Sequence, residues 1–114
     1  MARTRTYAEL ETAMFNQSEI VWRYLSGMDT SAAREFRLSG DVVGYWQTRW
    51  LAELRPEERD LAEGVAVLQR EFQRVGDSVI SLYDAGDREG AYLTAQVELK
   101  GRLHPALTAM NREV

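Results

Sequence analysis

One stretch, residues 56–86, constrains this chain more than any other. Leu61, Val65, Leu68, Phe72, Val75, Val79 and Leu82 recur at alternating spacings of four and three. That heptad seam marks a helix buried along a narrow stripe against other helices. Pro56 suits the first helical position, and Glu57 and Glu58 put negative charge at the positive end of the helix dipole. Gly86 follows the last seam residue, where a capping glycine belongs. A helix of about 30 residues is roughly 45 Å long. The rest of a 114-residue chain must cover it, and three more long helices do so most simply.

Size and composition narrow the class further. A chain of 114 residues is expected to be one domain, residues 1–114. It has no cysteine, which excludes disulfides and thiolate metal sites. The net charge of −4 argues against nucleic acid or an anionic membrane surface as the main partner. Lys100 is the only lysine among 14 basic residues. No apolar run reaches the length of a membrane span, and Ala2-Arg3-Thr4-Arg5-Thr6 leads into no signal-peptide core.

Helices are expected over residues 3–26, 31–54, 56–85 and 88–113. On the first, Tyr7, Leu10, Met14, Val21, Tyr24 and Met28 share a seam that Ala13, Ile20 and Leu25 widen and Gln17 interrupts. Gly27 and Asp29-Thr30-Ser31 supply a stop and a new N-cap. The second helix turns Ala32, Phe36, Ser39, Val43, Trp46, Trp50 and Leu54 inward. Ser39-Gly40-Asp41 is its weak point, either a place where a neighbour approaches small residues closely or a local break. Asp87 can cap the fourth helix, with inner positions Tyr92, Ala95 or Gln96, Leu99, Leu103, Ala106 and Met110. Pro105 removes a backbone donor and should bend that helix near residues 101–104.

Short connections then predict an all-α, antiparallel up-down-up-down four-helix bundle. Both chain ends would lie at one end of the rod, and the connections at 27–30 and 86–87 at the other. Neither terminal helix has an ordinary stop signal, so both are expected to continue as helix in a longer parent protein.

Several connections carry a family likeness. Trp22-Arg23-Tyr24-Leu25-Ser26-Gly27 followed by Arg34-Glu35-Phe36 resembles the first turn of the four-helix-bundle sensor domains of bacterial chemoreceptors (methyl-accepting chemotaxis proteins) and sensor histidine kinases. Leu54-Arg55-Pro56-Glu57-Glu58-Arg59 is similar to their second connection, and Ala85-Gly86-Asp87-Arg88-Glu89-Gly90-Ala91 to their third. A late proline such as Pro105 fits as well. The resemblance covers essentially the whole chain and rests on turns and caps. It implies a periplasmic bundle between two membrane spans of an inner-membrane receptor, usually dimeric, with a cytoplasmic signalling part beyond.

Catalytic and cofactor patterns are not found. His104 is the only histidine and has Gly101 three positions before it, so no Glu-x-x-His pair for a di-iron site can form. There is no Cys-x-x-Cys-His for haem, no Gly-rich phosphate loop and no nucleophile–base pair. The expectation is no enzyme, no cofactor and no metal. His104 beside Pro105 reads as a solvated residue or a pH switch. Trp46 and Trp50, one turn apart beside Tyr45 and Arg49, wall an aromatic pocket or else pack as core. Arginines near the loops and along the rod (Arg23, Arg34, Arg88, Arg49, Arg102) either grip a carboxylate-bearing ligand or are solvated.

The resulting candidate ligand pocket is Arg23, Trp46, Arg49 and Trp50. Gln17, Ile20 and Gln96 form the candidate dimer interface, Gln17 and Gln96 being polar seam members that set register or bond across an interface. The functional expectation is a ligand-sensing receptor domain that forms a weak homodimer, binds a small molecule or a periplasmic partner protein, and relays a helix shift through flanking membrane spans. The alternative is a cytosolic helical adaptor, which requires an exposed apolar stripe left over after bundle closure.

Overall fold

The apolar stripes wind into four helical rods, seen in a computed structural model that describes residues 5–27 and 31–112. The first three are α1 (Arg5–Leu25), α2 (Ala32–Glu53) and α3 (Arg59–Asp84), the last entered through a 3-10 turn, Pro56–Glu58. The fourth is composite: α4 (Arg88–Thr94), a π-helical stretch (Ala95–Leu103) and α5 (His104–Asn111) run on without a break. No strand occurs among the described residues.

Local chemistry accounts for the ends. Gly27 and Gly86 hold φ of +73° and +94°, the left-handed conformation that a side chain would strain. Asp87 N–H donates to Leu82 O and Gly86 N–H to Tyr83 O, the paired bonds of a Schellman stop. The Asp87 carboxylate then accepts from Gly90 N–H at 2.8 Å and caps the next helix. Glu58 reaches back to the Arg55 backbone N–H at 3.2 Å and to its guanidinium at 3.0 Å. Ser31 sits at the start of α2, but its hydroxyl donates to Glu35 at 3.3 Å rather than capping a backbone N–H. Met28, Asp29 and Thr30 lie outside the described residues, as do residues 1–4, Glu113 and Val114.

The interior divides into two apolar clusters. One gathers Ile20, Val21, Tyr24, Phe36, Phe72, Val75, Val79 and Leu99 among others, and the second Tyr7, Leu10, Met14, Val43, Trp50, Val65 and Leu107. Between them, at matching levels on α1, α2 and α3, lie the buried polar residues Gln17, Ser39 and Gln69. Gln17 donates to Gln73 at 2.6 Å and accepts from Gln69 at 3.1 Å, so the amides satisfy one another in the core. Helix α2 is continuous through Gly40, where Gln73 fills the space a side chain would take. At Gly76 on α3 the Phe36 ring of α2 occupies the space a side chain would take.

Cross-rod contacts follow a consistent order. Thr6 bonds Glu53, and Tyr7 packs on Trp50 at 4.9 Å; at the other end of the same two helices Arg23 pairs with Glu35 at 2.8 Å. Tyr7 donates to Asn111, Phe15 meets His104 at 5.3 Å and Trp22 meets Tyr92 at 6.1 Å. Tyr24 bonds Asp84 and packs on Tyr83 at 4.9 Å.

The fourth rod departs from expectation. Its buried file is Ala91, Ala95, Leu99, Leu103, Leu107 and Asn111, a strict spacing of four. Tyr92, expected inside, is 52% exposed, and Ala106 and Met110 are half-buried. An α-helix advances about 100° per residue, so a four-residue file spanning 20 residues would drift around it by about 200°. The wider i→i+5 ladder turns more slowly, at about 80° per residue, and eight such steps cancel most of that drift. Pro105, which has no N–H to continue an α ladder, stands just after this stretch. The disturbance expected near residues 101–104 is thus a change of winding that reaches back to Ala95.

Candidate ligand groove between the first and fourth rods

The four residues expected to form a ligand pocket do not converge as a set: Arg49 lies over Trp46, but Arg23 is held apart from them by Glu35. Trp50 is fully buried against Tyr7, and its indole N–H has no hydrogen-bond partner. Trp46 is half-buried on the same cluster. Arg49 lies on the outer surface, its guanidinium 5.6 Å from the Tyr45 ring and 5.8 Å from the Trp46 ring, donating to Tyr45 Oη at 2.8 Å. Arg23 is at the opposite end of α1, held by Glu35. The tryptophan at seam spacing is core, and the arginines serve surface contacts.

The expected interface residues are placed differently as well. Gln17 is 0% and Ile20 3% exposed within the single chain. Neither presents a surface to a second copy. Gln17 has its partners on α3, and Ile20 packs in the cluster around Phe36 and Phe72. Gln96 is half-buried and donates to Tyr92 Oη at 2.8 Å.

What α1 and the fourth rod do form is a groove of about 610 Å³, within the size range of small-molecule sites. Phe15, Ser18, Glu19 and Trp22 make one wall, at the i, i+3, i+4, i+7 positions of one helical face. Tyr92, Gln96, Lys100 and His104 make the other, with buried Leu99 as the floor. These four residues are again spaced by four. In an α-helix that row would wind about 120° around the rod over its length. With the π stretch inserted it runs nearly straight. The winding that aligns the core file therefore also aligns this wall.

Two aromatic contacts close the ends: Trp22 against Tyr92 at 78° and Phe15 against His104 at 74°, both edge-to-face. Phe15 and Trp22 are seven positions apart on α1, about 10 Å along its axis. His104 is exposed. Between the ends lie Ser18, Glu19, Gln96 and Lys100. On the same stretch Arg102 is committed to Glu98 at 2.6 Å and Glu71 at 3.4 Å. Those contacts, with Arg74 nearest at 2.8 Å, hold the Glu71 carboxyl below its ordinary range. Lys100 and Glu19 form no ion pair with any described residue, so the groove offers one available cation and one available carboxylate.

A second groove of about 720 Å³ lies between α2 and α3, with Gly40 and Gly44 in its wall and charged residues of both signs around it. No group of three potential metal ligands occurs among the described residues. No described helix is long and apolar enough to cross a membrane. No family model matches the chain, nor does any curated protein or solved structure.

The groove is absent from the sequence reading because it depends on which side of the fourth helix faces α1. The four-residue spacing from Tyr92 to His104 was the available signal, and an assumption of α-helical winding hid it.

Proposed function

We propose that this chain is the ligand-sensing, periplasmic domain of a bacterial inner-membrane receptor of the chemoreceptor or sensor-kinase kind, arranged as an antiparallel up-down-up-down four-helix bundle. The order of cross-rod contacts supports that arrangement: early α1 residues meet late α2 and late fourth-rod residues, and late α1 residues meet late α3 residues. The observation that carries the functional reading is the groove's position. It lies between α1 and the fourth rod, the same two elements that the Tyr7–Asn111 hydrogen bond brings side by side at one end of the molecule. A ligand there touches both helices and biases their relative position; about 1–3 kcal/mol of differential binding is enough for a signal. A weak homodimer belongs to the same reading. Its interface would use exposed apolar residues, such as Leu93 and Val97 on the fourth rod, in place of Gln17 and Ile20.

The chain has no cysteine, so a single Tyr45→Cys label on the exposed side of α2 is specific. Expressed from its full-length gene, with any other cysteine replaced by serine, the protein should fractionate with the inner membrane. The cysteine should react with a membrane-impermeant maleimide in intact spheroplasts. A soluble product, labelled only after lysis, refutes the proposal.

One observation favours the second reading, a cytosolic adaptor that binds partner helices. Leu38, Val42 and Tyr45 are each about half exposed and follow one another at four and three residues along α2. That is the apolar stripe such an adaptor requires. Labelling confined to lysed cells, together with loss of a cytosolic partner on Val42→Glu, selects it.

A further inference from the structure

We infer that the groove between α1 and the fourth rod takes a small zwitterion bearing a flat apolar group, one cationic and one anionic centre around a ring-sized side chain. The inference rests on the reading of this groove as the sensory site and adds the class of ligand. Its first ground is the pair of charges. Glu19 stands on the α1 wall and Lys100 on the facing wall, and neither is engaged by another described residue. Glu98 and Arg102, the other charges nearby on the π stretch, are committed to each other and to α3. A carboxylate alone would be drawn to Lys100 and repelled by Glu19; an amine alone meets the reverse. A molecule carrying both charges satisfies both walls, and the site discriminates by repulsion as much as by attraction.

The second ground is the shape of the apolar surface. Trp22 and Tyr92 at one end and Phe15 and His104 at the other leave a gap of about 10 Å along α1, floored by Leu99. That gap matches one aromatic ring seated edge-to-face between ring walls. Tyr92 accepts a hydrogen bond from Gln96, which leaves its own O–H, and that of Ser18, to donate to the ligand's anionic group. The third ground is the π winding, which keeps Tyr92, Gln96, Lys100 and His104 in one file. Without it Tyr92 and His104, the two ends of the file, would point about 120° apart around the rod.

The test is isothermal titration of the 114-residue chain with four probes: phenylalanine, phenylacetate, phenethylamine and glycine. Phenylalanine should bind at least about tenfold more tightly than each of the others, the expected loss for one charge-assisted contact or one ring. Lys100→Met should abolish the preference for phenylalanine over phenethylamine, and Glu19→Gln the preference over phenylacetate. Both side chains are exposed, so both variants should keep the wild-type circular dichroism and melting curve. The inference is overturned by no heat from phenylalanine at millimolar concentration, by a singly charged analogue binding as tightly, or by selectivity unchanged in both variants. The spheroplast labelling involves no ligand, so its failure and that of the titration are separately visible.

Discussion

Gly76→Ala should destabilise the protein, although on helix propensity alone it should help. Gly76 lies in the interior of α3, where alanine is favoured by about 1 kcal/mol. A Cβ built there falls 2.0 Å from Phe36 Cζ and 2.7 and 2.8 Å from the two Cε atoms. Carbon atoms pack at about 3.5–4.0 Å, so the ring must retreat by about 1.5 Å or change rotamer. Phe36 is fully buried and has no solvent to move into. Overpacking of this kind costs about 1–3 kcal/mol, and so severe a contact belongs at the upper end. After the propensity gain, the net loss is about 2 kcal/mol, or roughly 5–10 °C in Tm for a domain of this size. Gly44→Ala is the control, because its added Cβ meets nothing within 4 Å; it should gain about 0.5–1 kcal/mol from propensity alone. Phe36→Leu combined with Gly76→Ala should cost less than the sum of the two single changes, since both act at one contact. Urea unfolding followed by circular dichroism reads all four free energies. If Gly76→Ala is as stable as wild type while Gly44→Ala behaves as expected, α2 and α3 do not meet at this glycine.

Phe72, 4% exposed beside Val75 and Leu99, should cost about 3–5 kcal/mol on truncation to alanine, and a loss below about 1 kcal/mol would take the α3 seam out of the core. Ile20→Glu buries an unpaired carboxylate and should unfold or strongly destabilise the single chain, as read by urea titration at low protein concentration. Unchanged stability with weakened self-association would return Ile20 to an interface. Glu58 and Glu71 are held below the ordinary carboxyl value of 4.5, Glu58 chiefly by its Arg55 hydrogen bond and Glu71 by Arg74. Their stabilisation is therefore fully present above that value and is lost as pH falls through the lowered one. Glu71→Gln should flatten the acid limb of the stability curve below about pH 4.5 and leave the neutral limb's shape unchanged. Because these pairs are exposed, high salt should weaken the same effect.

Much of the fold was legible without coordinates because its determinants are local. The glycine stops at Gly27 and Gly86 and the Asp87 cap act within a few residues and lie where the pattern puts them, and of the α3 seam Val65, Phe72, Val75 and Val79 are buried while Leu61, Leu68 and Leu82 are half-buried beside buried Ala62, Gln69, Gly76 and Ile80. Phe36, Val43 and Trp50 on α2, and Tyr7, Leu10 and Met14 on α1, are buried as their spacing requires. Seam spacing ranks positions by angle around a helix, and those angles hold while the winding is α-helical.

Residues 95–103 needed the tertiary structure. A row of residues four apart can be an α-helical face that drifts or a straight file on a slower helix, and the choice depends on whether neighbouring rods cover the file along its whole length. In this chain they do, so Leu107 and Asn111 enter the core, Tyr92 leaves it, and Gln96, Lys100 and His104 line up across from Glu19. The same limit applies to partners. Ile20 widens an apolar stripe whether a second copy or α3 covers it, and Gln17 is polar in either place; only packing assigns them to the interior. Arg23 and Trp50 carry the right chemistry for a shared pocket, but α1 and α2 set them at opposite ends, which side-chain identity does not encode. Periodicity and caps act through the backbone nearby and can be read from sequence, whereas burial, winding and convergence follow from what lies across the helix.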